Sequence, residues 1–115
     1  MAFLYDGATP WTDDTKPDDR SRLQAVKAHG GVAVSVYIVG RPGNMRCAIK
    51  RDVDAARSLG LGVLPNWERA ADFFRTASLA DCRDAGREAL AACRQLGFPD
   101  DGTIPAHLLG DLWGQ

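Results

Sequence analysis

The stretch VAVSVYIVG, residues 32–40, decides how this chain is read. It is rich in β-branched residues and apolar on both faces apart from Ser35. Such a run predicts a strand buried on both sides, as in a parallel sheet covered by helices. Downstream, RPGN predicts a turn. Met45, Ile49, Val53, Ala56 and Leu59 then recur at three- and four-residue spacing and predict a helix over 45–59, stopped by Gly60. LGVLP, residues 61–65, reads as another short strand. Upstream, AFLYD (2–6) reads as a first strand. The loop GATPWTDDTKP follows, and a helix is expected over 17–29 with Leu23 and Val26 inward and Gly30–Gly31 as its end.

Past the third strand, NWERAADFFRTA reads as a loop holding a helical turn near 70–75. Ser78 with Asp81 has the spacing of a capping box and opens a third long helix. Its inward stripe is Leu79, Cys82, Ala85, Gly86, Ala89, Cys93 and Leu96, closed by Gly97 and Pro99. GTI (102–104) is expected to begin a fourth strand. Strand and helix alternate throughout, which predicts an α/β fold of three to four parallel strands joined by helical crossovers. No repeat or linker divides the chain, so 1–115 reads as a single domain.

Composition narrows the function. Hydrophobic residues make up 45% and charged residues 25%, an ordinary globular balance. With 14 basic against 15 acidic residues, the chain lacks the positive excess of a nucleic-acid binder. It has no apolar run long enough to span a membrane, and no signal peptide is visible at its start, so its compartment is left open. The three cysteines have no metal or redox spacing and are expected to be small buried hydrophobes. His29 and His107 have no metal-ligand company. GRPGN lacks the Lys and Ser/Thr of a phosphate loop, and GLG precedes a strand rather than following one. Neither a cofactor nor a metal is expected, and a small doubly wound nucleotide binder is the outlying alternative.

In parallel α/β folds the working groups lie at the C-terminal ends of strands. Asp6 ends the first, Arg41 and the GRPGN turn follow the second, and Asn66, Trp67 and Glu68 follow the third. Two carboxylates flanking a glycosidic bond can serve as proton donor and as nucleophile or base, which makes Asp6 and Glu68 the candidate catalytic pair. Trp67, Asn66, Tyr37, Arg41 and Trp11 are the candidate substrate-binding residues, with a Trp face suited to a sugar ring. The plainer readings stand beside these: a turn residue for Asp6, a solvated helix residue for Glu68, packing for Tyr37 and Trp67, surface charge for Arg41.

YDGATP, VAVSVYIVG, SLGLGVLPNWE and DAGREALAACRQLGFPDDGTI, in that order, resemble the glycoside hydrolase-like domain family formerly called domain of unknown function 1906. The resemblance covers about residues 3–104. It implies a (β/α) barrel related to wall-lytic glycosidases, with Asp6 as the first-strand acid and Glu68 as the third-strand acid. It also implies cell-wall polysaccharide or peptidoglycan as what the domain acts on or binds. The family pattern continues as an apolar strand ending in Asp. Here the chain reads PAHLLGDLWGQ, with Pro105 interrupting and Asp111 as the nearest acid. A full barrel takes about 250 residues and eight strands. The expectation is therefore the N-terminal half of a barrel, from a truncated reading frame or a shortened relative. The alternative function is a non-catalytic glycan-binding or interaction module that has lost the fourth-strand acid. An open half-barrel also offers a sheet edge for self-association.

Overall fold

A computed structural model of the chain describes residues 3–6, 9–39, 46–68, 73–98 and 107–109, without the side chains of 68, 74 and 107–109. The elements are β1 (Phe3–Tyr5), α1 (Ser21–Ala28), β2 (Gly31–Val39), α2 (Lys50–Ser58), β3 (Gly62–Glu68), α3 (Phe73–Thr76), α4 (Leu79–Gln95) and β4 (His107–Leu109). The strands form one parallel sheet in the order β1-β2-β3-β4. That order advances one way only, without the reversal that defines a doubly wound sheet. The α/β class and parallel strands match the sequence reading. Among the described residues β1 and β4 are the two ends of an open sheet.

Helices α1 and α2 start later than the sequence reading predicts, for local reasons. Asp19 Oδ1 accepts the Ser21 N–H at 2.9 Å, so α1 begins at Ser21 and not at Pro17. Residues 46–49 stay non-helical because Ala48 N–H bonds to Tyr37 O at the end of β2, at 2.7 Å. Asp52 then reaches back to the Ile49 N–H at 2.9 Å, and α2 starts at Lys50. The Ser78–Asp81 capping box opens α4 as expected. Gly30, Gly60 and Gly97 end α1, α2 and α4 at φ of +88°, +77° and +85°, where a side chain would be strained. Gly31 is required by proximity: a Cβ there would meet the Val26 carbonyl oxygen at 2.8 Å.

The register assigns two faces. Tyr5 pairs with Val34, and Val36 with Pro65. Val34 and Val36 join Leu23 and Val26 of α1, Val53 and Ala56 of α2, and Ala85, Ala89 and Cys93 of α4 in one apolar core. The alternate residues Leu4, Ala33, Ser35, Tyr37, Leu64 and Asn66 lie on the other face. The expectation of three buried cysteines is corrected. Cys93 is buried, Cys47 half-buried and Cys82 exposed. Burial on α4 begins at Ala85, leaving the first turn with Leu79 and Cys82 in solvent.

Two further expectations change. β3 runs on through Asn66, Trp67 and Glu68, because these residues pair with Tyr37 and Val39 of β2 and with β4. They belong to the strand rather than to a loop after it. The fourth strand is at His107–Leu109, past Pro105, while 102–104 lies outside the described residues. No described helix is long and apolar enough to cross a membrane.

Candidate functional site

Asp6 follows β1 directly and is exposed. Its Oδ1 accepts a hydrogen bond from Ser35 Oγ of β2, which places the carboxylate on the face turned away from the core. Tyr37, half-buried, continues that face toward the C-terminal end of β2. Its register partner on β3 is Asn66, which is buried. Asp6, Ser35, Tyr37 and Asn66 therefore make a polar row on one face, of which Asp6 and Tyr37 are open to solvent. Arg41, the GRPGN turn and Asp111 lie outside the described residues. Glu68 closes β3 with its backbone paired to Leu109, and its carboxylate lies outside the description.

The two candidate tryptophans have buried positions. Trp67 is 0% exposed. Its Nε1 donates to Glu88 Oε2 of α4 at 3.3 Å, and its ring meets the Phe73 ring edge-on at 5.2 Å. Strand alternation explains this: Asn66 faces one way, so Trp67 faces the helices. Trp11 donates from Nε1 to Ser35 O at 2.6 Å, one residue past the last β2 residue that β1 pairs. It thus satisfies a strand carbonyl where β1 departs, and the Arg22 guanidinium lies 4.7 Å from its ring centroid. Neither ring is presented to solvent, so both residues act in packing and not as exposed sugar platforms.

The structure adds a polar cluster that the sequence reading did not single out. Asp52, 1% exposed, accepts from the Thr12 N–H at 2.9 Å, Thr12 Oγ1 at 2.5 Å and Arg46 Nη1 at 2.8 Å. Arg46 also reaches Asp14 at 3.0 Å and the Thr12 carbonyl at 3.1 Å, and Arg51 reaches Asp14 at 2.5 Å. The segment after β1 is thereby pinned to the start of α2. Burial works to raise the Asp52 pKa, but the hydrogen bonds from Arg46, Thr12 and the Ile49 N–H outweigh it and hold it below its ordinary value. Asp14 is likewise held low, by Arg46 and then Arg51. The legible signal was an acid three residues into α2 with an Arg six residues before it, within an otherwise apolar stripe.

Beside this cluster an open cleft of about 430 Å³ is lined by Thr9, Pro10, Thr12, Asp13, Asp14, Arg22 and Arg46. Thr9, Pro10 and Arg46 also line the narrow gap against β2 at Ser35–Tyr37, so cleft and polar row adjoin. Among the described residues no group of three His, Cys, Asp or Glu side chains is placed to hold a metal ion. Comparison of the chain with protein-family models, curated proteins and solved structures finds no match.

Proposed function

We propose that this chain is a glycoside hydrolase-like module that binds cell-wall polysaccharide or peptidoglycan at the C-terminal ends of its parallel strands. The observation that carries the reading is Asp6. It is an exposed carboxylate directly after β1, on the face away from the core, with one oxygen oriented by Ser35. A carboxylate so held can accept hydrogen bonds from sugar hydroxyls through its other oxygen. Tyr37, two residues along β2 from Ser35 on the same face, adds an amphipathic ring of the kind that contacts saccharides. The sequential strand order supports kinship with a barrel, whose working face is the same one.

Hydrolysis is the second reading. It rests on Glu68 closing β3 as Asp6 follows β1, the strand-end placement that a carboxylate pair needs. Such a pair works at about 5 to 10 Å separation. Co-sedimentation with insoluble peptidoglycan, followed by assay of released reducing ends, tests both. Binding that falls about tenfold in Asp6→Asn supports the binding reading. Reducing ends that disappear in both Asp6→Asn and Glu68→Gln add catalysis to it. A wild-type chain that stays in the supernatant overturns the proposal.

The same reading has the β1 edge pairing with a second copy. Phe3, Leu4 and Tyr5 of that edge, and Val32 of β2 next to it, are 36–51% exposed. Sedimentation velocity across a concentration series should show a dimer that Leu4→Lys disperses, and a monomer at every concentration would refute it.

A further inference from the structure

The cleft beside the polar row contains a cation with an open donor edge. Arg22 is fixed on one side: its guanidinium stacks 4.7 Å from the Trp11 ring centroid, and Nη1 donates to the Thr9 and Pro10 carbonyls. Nε and Nη2, the remaining edge of the guanidinium, have no partner among the described residues. That edge is a side-on fork of two parallel N–H donors, the geometry that matches both oxygens of a carboxylate. The other charges of the cleft are engaged. Asp13 accepts from Thr15, Asp14 from Arg46 and Arg51, and Arg46 is spent on Asp14, Asp52 and Thr12.

We propose that Arg22 is the anchor of a subsite for a carboxylate-bearing sugar, such as a uronic acid or a lactyl-ether hexosamine. The inference rests on the glycan-binding reading for the neighbouring sugar rings, and it names the chemical class of saccharide. A chain of sugars lying across Asp6 and Tyr37 would pass Thr9 and Pro10 to reach Arg22, because those two residues line both the gap at β2 and the cleft. Stacking on Trp11 holds the fork in place before the ligand arrives, so little side-chain freedom is lost on binding.

The test is calorimetric titration with two tetrasaccharides of equal ring count. One is neutral, four N-acetylglucosamine units. The other alternates N-acetylglucosamine with N-acetylmuramic acid and carries lactyl carboxylates. Wild type is expected to bind the carboxylated one about tenfold more tightly, the scale of a charge-assisted hydrogen-bonded pair. Arg22→Gln should erase the preference. Arg22→Lys, which keeps the charge without the fork, should retain only part of it. Circular dichroism and tryptophan emission check that each variant is folded. The Arg22 Nε–H resonance of wild type gives a readout that needs no variant, and glucuronate should shift it. Equal affinity for the two tetrasaccharides, or a preference that survives in a folded Arg22→Gln, overturns the inference while leaving the glycan reading intact. If neither tetrasaccharide binds but glucuronate shifts the resonance, the carboxylate site stands and the glycan reading falls. If glucuronate shifts nothing, the site falls too.

Discussion

The helix-covered face of the sheet and the Trp11–Thr12 step of the segment after β1 are both buried, by opposite means. On the helix side, Val34, Val36 and Trp67 share one apolar core with residues of α1, α2 and α4, and shape and apolar area do the work. In the segment 9–20, Trp11 and Thr12 are buried beside a carboxylate, and the fixing contacts are Asp52, Arg46, Asp14 and Arg51. A core of the first kind tolerates a change of medium. A latch of the second kind depends on ionisation and on every partner being present. The two regions should therefore respond differently to substitution and to pH.

The largest effect is expected in the core. Trp67→Ala removes a fully buried ring and should cost about 3–5 kcal/mol, measured by urea unfolding. Next is Asp52→Ala, which strands the Arg46 guanidinium and the Thr12 donors. It should cost about 3 kcal/mol. Amide exchange would show the difference in kind: Asp52→Ala should open residues 9–20 first, whereas Trp67→Ala should speed exchange across β2 and β3 together. Uniform opening in both variants would erase the distinction.

Acid sharpens the same contrast. The folded-state pKa of Asp52 is lowered, so its contribution is fully present above the unfolded value of about 3.9 and is lost as pH falls through the lower folded value. Stability should hold down to about pH 4 and then decline, and in Asp52→Asn that part of the decline should be missing. A wild-type profile parallel to that of Asp52→Asn would show that the carboxylate is not what holds the segment. The smallest effect belongs to neither region. Ser78→Ala removes the α4 cap and should cost about 1 kcal/mol, read as a small fall in melting temperature.

What the sequence made legible follows the same division. Apolar period and breakers set the strand–helix alternation, the three glycine stops and the α4 capping box, because those signals are local. The sequential strand order fits that alternation. Of the two readings open for Trp67, sugar platform and packing, the structure takes packing, because one residue of strand extension decides which face a side chain takes, and that comes from pairing with β2 and β4. The burial of Trp11 depends on its bond to Ser35 O, 24 positions away. Asp52 escaped notice because its partners are Thr12, 40 positions away, and an Arg46 that looked like the start of a helix. Asp6 was visible as a strand-end acid, and its bond to Ser35 required the β1–β2 register.

The central claim is that saccharide binds on the polar row at the strand ends. Titrating ¹⁵N-labelled protein with soluble peptidoglycan oligosaccharide tests it most directly. The account predicts amide shifts concentrated at Asp6, Ser35, Tyr37 and the 9–12 segment, with α4 unmoved. Shifts confined to the helix face, or none at millimolar sugar, would contradict it.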